Sequence, residues 1–134
     1  VATDHAPHPL ESKECEWQEA AFGMLGLETA LSIVQKTMVD SGLMSWSQVA
    51  ERMSHAPAAI GGYQEQGQKV VQGSFANLVV INPTKSWRVD RDLVLSNSSN
   101  TPYHGHDLPG FVEHTFFKGK HTVENGSVIG KGAI

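Results

Sequence analysis

The first eight residues of the chain, Val1 to His8, carry the residue types that are best suited to chemistry. One carboxylate, Asp4, and two imidazoles, His5 and His8, fall within five residues. Pro7 makes the backbone of this stretch stiff and extended. Parallel α/β folds place metal ligands and acid–base groups at the ends of their buried strands. The cluster therefore indicates a metal site or an acid–base site.

Plainer interpretations exist for the same residues. An aspartate such as Asp4 often caps the turn that follows it, and a lone histidine in a loop, such as His8, is usually solvated. Successive side chains of an extended segment face opposite ways, so His5 is predicted to be structural. A zinc site made of His5, His8 and Cys15 is not favoured, because structural zinc normally takes four ligands. From the spacing alone, the catalytic and capping roles of Asp4 both stay open.

Composition narrows the class of protein. A chain of 134 residues with 40% hydrophobic and 18% charged residues is typical of one globular domain. The net charge of −4, with scattered basic residues, argues against a nucleic-acid partner. A single cysteine, Cys15, excludes an internal disulfide and fits a reducing compartment, the cytoplasm. The apolar runs are too short to predict a membrane span. Because the chain starts directly on its chemical cluster, we expect it to be a piece of an enzyme.

The elements that must position this cluster come next along the chain. Val1–Thr3 is predicted to be a strand end, followed by a polar loop at 4–18, and the region 19–62 is predicted to be helical. Gly42 suits the left-handed position after a first helix. Pro57 is expected to end a second helix near Ser54 or His55. The apolar face of the first helix comprises Leu27, Ala30, Leu31, Val34 and Met38, and the second helix begins with a capping box at Ser45–Gln48.

The last part of the chain has a β pattern. Leu78–Ile81 is predicted to be a buried strand that ends at Asn82-Pro83. Lys118-Gly119 is typical of a hairpin turn between Phe111–Phe117 and Lys120–Val123. Asn125-Gly126 predicts a second turn that leads into Ser127–Ile129. The sequence thus predicts a strand end, then helices, then an all-β tail.

Two strings give the chain a resemblance to a known family. Thr-Asp-His-Ala-Pro-His at 3–8 and Phe-Gly-Met-Leu-Gly-Leu-Glu-Thr at 22–29 resemble the C-terminal part of type I dihydroorotases, metal-dependent barrel enzymes of the amidohydrolase superfamily. Ser54–Ala58, Gly73–Val79 and Asn100–Gly105 are similar to further family segments, although Asn77 replaces the family's usual aspartate. The resemblance implies an α/β fold: the C-terminal part of an amidohydrolase (β/α)8 barrel at 1–62 and part of the accompanying composite β-sandwich domain at 63–134.

The resemblance also implies an activity, the interconversion of N-carbamoyl-L-aspartate and L-dihydroorotate in pyrimidine (UMP) biosynthesis, with zinc, usually a binuclear pair, as the cofactor. It assigns Asp4 to the metal and to proton transfer, His8 to substrate binding, and Phe22 and Gly23 to backbone contacts with the substrate. The alternative for Phe22 is a packed side chain at a helix N-terminus. The family's other metal ligands lie on earlier strands and are not in this sequence, so the 134 residues alone are predicted to be inactive and to hold no zinc tightly.

Other functions stay open at this point. Allantoinases and hydantoinases share the fold and the aspartate, and His8 is the residue that discriminates against them. Some dihydroorotase-like proteins are non-catalytic scaffolds for aspartate transcarbamoylase, but the presence of Asp4 and His8 argues against that role. The expected partners are a small-molecule substrate and either a second copy of the protein or aspartate transcarbamoylase, with no nucleic acid and no membrane. Nothing in the spacing of the loop Tyr103–His106 assigns it a role.

Overall fold

The computed structural model describes residues 1–129, with short helices in the first half and a sheet in the second. Residues 130–134, the end of the predicted β-domain, lie outside the described residues. The elements are a 3-10 turn (Leu10–Ser12), helix α1 (Ala30–Val34), a π-helical turn (Gln35–Val39), helix α2 (Trp46–Ala50), a second π-helical turn (Glu51–His55), helix α3 (Ala56–Gly61), and strands β1 (Leu78–Arg88), β2 (Asp107–Phe117), β3 (Lys120–Glu124) and β4 (Ser127–Val128). The division into two domains at residue 62 stays a prediction.

The predicted strand at Val1–Thr3 and the predicted helix start at residue 19 are both wrong for the part of the chain that the structure describes. Residues 1–4 form no strand, and one parallel bridge joins His5 to Met24. Because the segment around Met24 lies beside the N-terminal segment, the first helix begins only at Ala30. A single bridge is not a ladder, and a parallel strand needs neighbours along its length to pair its backbone groups.

The helix caps were predicted correctly, whereas the end of the second helix was not. Gly42 has a φ of +76° after the first π-helical turn, and Ser45 and Gln48 form both halves of a capping box at the start of α2. The second helix does not stop before Pro57, since its helical segments run consecutively to Gly61. In an α-helix, the ring of Pro57 would clash with the carbonyl four residues earlier. The π-helical turn before it is wider, with the backbone N–H of Ala56 donating to Glu51 O, and it leaves room for the ring.

The face of α1 that packs on the sheet is partly polar, rather than the apolar stripe that the periodicity predicts. Leu27, at the start of that stripe, is 61% exposed, whereas Ser32 and Gln35 are buried. Ser32 Oγ donates to Gly110 O at 3.2 Å, and Gln35 Nε2 donates to Pro83 O at 2.8 Å. Hydrogen bonds to the sheet backbone therefore account for the burial of the Ser32 hydroxyl and of the Gln35 amide nitrogen, whereas Gln35 Oε1 is buried without a hydrogen-bond partner among residues 1–129.

The four strands form an antiparallel sheet in the order β1-β2-β3-β4. Both predicted turns are present, at Lys118-Gly119 and at Asn125-Gly126. All four turn residues have positive φ, from +48° to +79°, as two-residue turns that match the twist of the strands require. Both hairpin predictions are thus confirmed.

β1 is longer and more exposed than predicted. It continues past Pro83 to Arg88, and its pairing with β2 shifts register between Asn82 and Ser86. Proline has no N–H for the ladder and is accommodated at such irregular positions. Val79 and Val80, predicted to be buried, are 53% and 42% exposed.

The apolar core of residues 1–129 is small. Six hydrophobic side chains are buried, led by Val89 and Leu108 at 1% exposure each, while nineteen large hydrophobic side chains are exposed. Within the described residues, no helix has the length and apolar character needed to cross a membrane. A surface this apolar is more typical of a protein that packs against other polypeptide than of an isolated monomer.

Candidate active site

The two strings that carry the family resemblance lie side by side in the structure. The backbone N–H of Ala6 donates to Met24 O at 2.9 Å, next to the parallel bridge between His5 and Met24. The N–H of Gly26 donates to His5 Nδ1 at 3.1 Å. His5 is therefore engaged in holding the two segments together, as its predicted structural role requires.

Two of the predicted substrate-binding residues, His8 and Gly23, are brought into contact. A Cβ added to Gly23 would lie 2.5 Å from the Cβ of Ala6 and 3.3 Å from His8 Nε2. Gly23 also has a φ of +113°, which residues with a side chain rarely adopt. Only glycine thus lets the backbone at position 23 lie against the half-buried His8.

Asp4, the predicted proton-transfer residue and metal ligand, is exposed and free. Its carboxylate makes no hydrogen bond or ion pair with any other group of residues 1–129, so it does not cap the turn that follows. Its φ is +46°, a left-handed conformation that is uncommon outside glycine. Such backbone strain concentrates at functional sites. The carboxylate is therefore held outward with its acceptor oxygens available.

Phe22 neither packs nor begins a helix. Its side chain is 94% exposed, and the first helix starts eight residues later, at Ala30. The backbone beside it is fixed by Lys13, whose Nζ donates to Ala21 O at 2.6 Å and to Gly23 O at 3.1 Å. The alternative of a packed phenylalanine at a helix N-terminus is thus wrong, and the backbone role of Phe22 stays a prediction.

Sequence reasoning did not single out the residue that ties these segments together, Asn100. Its Oδ1 accepts from the backbone N–H of His8 at 3.2 Å, and its Nδ2 donates to Ala6 O at 2.9 Å. Its carbonyl accepts from the N–H of Leu25 at 3.2 Å. The hydroxyl of Ser98 donates to the carbonyl of His8. The loop at 98–100 thus connects both strings, and the Asn-Thr-Pro motif in that loop was the one available indication.

Among residues 1–129, the side chains at this place do not form a metal centre by themselves. Asp4 has a free carboxylate, whereas His5 Nδ1 is already hydrogen-bonded, and the exposed Cys15 has its Sγ 3.7 Å from Ser12 O. The zinc site of His5, His8 and Cys15 is not formed among residues 1–129. A catalytic zinc normally takes three protein ligands, so this donor set does not fit a complete zinc centre by itself.

The loop Tyr103–His106 has a structural role. The N–H of Gly105 donates to Val89 O at 2.8 Å, and the N–H of Val89 donates to His106 O at 2.9 Å. His104 Nδ1 accepts from the N–H of Arg91 at 3.1 Å. These hydrogen bonds continue the pairing of β1 and β2 beyond the ends of the two strands.

Comparison with known proteins shows which proteins this chain is similar to. The chain is 53% identical over 128 residues to a dihydroorotase of Streptomyces coelicolor and 44% identical over 128 residues to one of Mycobacterium tuberculosis. Each match covers 96% of this chain. The chain is homologous to dihydroorotases. It spans 30% of the length of these relatives, and no family model matches it.

Solved structures of a hydantoinase and a dihydropyrimidinase share the fold of this chain. L-hydantoinase from Arthrobacter aurescens superposes with a TM-score of 0.84 at 32% identity, covering 94% of this chain and 29% of that one. Dihydropyrimidinase from Brevibacillus agri superposes with a TM-score of 0.83 at 23% identity, covering 96% and 29%, which shows the fold alone. The predicted fold class, part of an amidohydrolase, is confirmed.

Proposed function

We propose that this chain is the C-terminal part of a dihydroorotase and contributes Asp4 and His8 to its active site. The observation that carries the proposal is the adjacency of the two family strings, with His8 Nε2 against Gly23 and the Asp4 carboxylate free. The reaction is the reversible interconversion of N-carbamoyl-L-aspartate and L-dihydroorotate. The setting is pyrimidine biosynthesis in the cytoplasm, which the single cysteine, Cys15, suits.

In this proposal each residue has one task. Asp4 accepts the proton of the attacking water and gives it to the amide nitrogen that leaves, as a positioned general acid–base group does. His8 binds the carboxylate of the substrate, and the backbone at Phe22 and Gly23 contacts its ring. A zinc ion, or a binuclear pair, would polarise the amide carbonyl and lower the pKa of the attacking water. Asp4 would be the one ligand to it from this chain, and its other ligands would belong to a (β/α)8 barrel of which residues 1–62 are the end.

The sequence comparisons favour this function over its alternatives. Identity is 53% to the Streptomyces coelicolor dihydroorotase but 32% to the Arthrobacter aurescens L-hydantoinase. The free Asp4 carboxylate and the ordered position of His8 also favour a catalytic role over that of a scaffold for aspartate transcarbamoylase. Such a complex, or a homo-oligomer, remains compatible with the exposed apolar surface.

A chimera tests the proposal. This chain would replace the matching 128-residue segment of the Streptomyces coelicolor relative, and the product would be assayed with dihydroorotate, hydantoin and allantoin. We expect turnover of dihydroorotate alone. A folded, metal-loaded chimera without turnover would instead support the scaffold function, and a preference for hydantoin would support the hydantoinase alternative.

The assignment of His8 is tested in the same chimera. Loss of a hydrogen bond to a charged substrate group costs about 1.5–3 kcal/mol, so His8→Ala is expected to lower kcat/KM for dihydroorotate at least about tenfold with the metal content intact. The matched control is His106→Ala, which removes an exposed imidazole outside the candidate site. Stoichiometric loss of metal in His8→Ala would identify His8 as a ligand instead of a substrate-binding residue.

A further inference from the structure

A group of three potential metal ligands lies on the hairpin of β2 and β3, separate in the chain from Asp4 and His8. It consists of His114 on β2 and of His121 and Glu124 on β3, and the ligand atoms of the three side chains all lie within 4.8 Å of one another. His114 Nδ1 and His121 Nε2 are 3.1 Å apart. Among residues 1–129 it is the one such group of three.

A β-bulge brings the three side chains to one face. His121 and Glu124 are three positions apart, and in a regular strand such residues face opposite sides of the sheet. Here His114 pairs with Glu124 and Phe116 pairs with His121, which leaves Thr122 as an extra residue on β3. An extra residue of this kind re-aims the side chains beside it. The bulge thus turns His121 towards the side on which His114 and Glu124 already lie.

The rings are held in place by their neighbours. His121 stacks on Phe116 with ring centroids 4.7 Å apart and an angle of 15° between the planes. Within the described residues, no lysine or arginine forms an ion pair with Glu124, so its carboxylate is not neutralised by a basic side chain. The two imidazole nitrogens lie at hydrogen-bond distance from each other, and the exposed Glu124 carboxylate lies beside them, so a bound ion would replace the hydrogen bond between the two rings.

The chemistry of this set matches a transition metal. Zinc takes imidazole nitrogen and carboxylate oxygen as ligands, and two nitrogens of one tetrahedral zinc lie about 3.3 Å apart, close to the separation found here. We propose that His114, His121 and Glu124 bind a divalent zinc-type cation, with a fourth position open to water. The ion would join β2 to β3 near their shared turn and stabilise the hairpin.

The test counts zinc in the chimera described above, by equilibrium dialysis against micromolar free zinc followed by elemental analysis. His121→Ala and His114→Ala are each expected to remove one equivalent of zinc per chain while dihydroorotate turnover is retained. His104→Ala, which removes an exposed imidazole in another loop, is expected to remove none. An unchanged zinc count in both hairpin variants would overturn the proposal.

A second measurement separates this site from the proposed active site. The two sites are mutated one at a time in the same chimera, Asp4→Asn beside His121→Ala, and zinc binding is followed by calorimetry. We expect Asp4→Asn to keep the equivalent of zinc that His121→Ala loses. Loss of that equivalent in Asp4→Asn and not in His121→Ala would contradict the hairpin site. Because the two sites are mutated separately, a negative result for one site does not affect the result for the other.

Discussion

The left-handed backbone at Asp4 is the most specific residue-scale feature of the candidate site. Asp4 has a φ of +46°, a left-handed conformation that aspartate adopts more readily than most L-residues, and its carboxylate makes no hydrogen bond or ion pair with residues 1–129. A capping aspartate would instead hydrogen-bond to a nearby N–H. The geometry thus favours a carboxylate that is displayed for chemistry.

Substitution of Asp4 tests this interpretation. Asp4→Asn keeps the size of the side chain but removes its basic oxygen, so turnover of dihydroorotate by the metal-loaded chimera should fall by at least the ~10²-fold that general acid–base catalysis contributes. Asp92→Asn, a matched change at another exposed aspartate, should leave turnover unchanged. Near-normal turnover in metal-loaded Asp4→Asn would remove Asp4 from the mechanism.

The chemical residues could be predicted from the sequence because they are close together in it. Asp4, His5 and His8 share one short string, and its pattern is specific enough to indicate a family. Asn100 could not be assigned in the same way, since its partner His8 is 92 positions away. The hairpin ligands were missed because His121 and Glu124 share a face only through a bulge, which the spacing of the residues does not reveal.

At the scale of elements, the loop at 98–100 links the two segments that form the candidate site. It contacts both family strings through the side chain and backbone of Asn100. Asn100 does not need to touch the substrate for this effect and is a positioning residue. A shift of about 1 Å in catalytic geometry can cost on the order of 10²-fold in rate.

Asn100→Ala is therefore expected to lower kcat/KM of the chimera about tenfold or more, mostly through kcat, with its metal retained. Asn100→Asp keeps the acceptor for the His8 N–H but loses the donor to Ala6 O, and should give an intermediate loss. Asn97→Ala is the matched control, because Asn97 is exposed on the same loop. A purely structural role would lower the melting temperature without separating these three variants in kcat.

The contact between α1 and the sheet is tested at Gly110. A Cβ added to Gly110 would lie 2.5 Å from Oε1 of the buried Gln35, and Gly110 has a φ of +81°. Gly42 has a similar φ of +76° with nothing within 4 Å of an added Cβ. Gly110→Ala should therefore destabilise the chimera by about 1–3 kcal/mol more than Gly42→Ala, through overpacking. Equal shifts in thermal unfolding would show that only backbone strain matters at both positions.

Element boundaries were predicted well where local chemistry determines them and poorly where packing does. The capping box at Ser45 and the turns at Lys118-Gly119 and Asn125-Gly126 depend on neighbouring residues and were found as predicted. The helix continues past Pro57 because a π-helical turn accommodates the ring. The buried face of α1 follows hydrogen bonds to distant strands, which periodicity alone does not contain.

At the scale of the whole molecule, few apolar side chains are buried and many are exposed among residues 1–129, so we expect this surface to pack against other polypeptide. Trp17 and Phe22 are more than nine-tenths exposed, and Leu93 is 79% exposed. At roughly 25 cal/mol per Å² of apolar surface, burying several such side chains against further polypeptide stabilises a fold by several kcal/mol. The chain spans 30% of its relatives, so the remaining length of such a protein offers a natural cover for this surface.

The last prediction concerns the 134 residues by themselves. With six buried hydrophobic side chains among residues 1–129 and one free carboxylate at the candidate site, the isolated chain should be marginally stable, associate at micromolar concentration and show no turnover of dihydroorotate. Sedimentation, binding of a hydrophobic dye and a direct assay check these points. Addition of the separately produced N-terminal part of the Streptomyces coelicolor relative should suppress dye binding and restore turnover, because it covers the apolar surface and supplies the missing ligands. Turnover by the isolated chain at a rate equal to that of the chimera would contradict the division of the active site between the two parts.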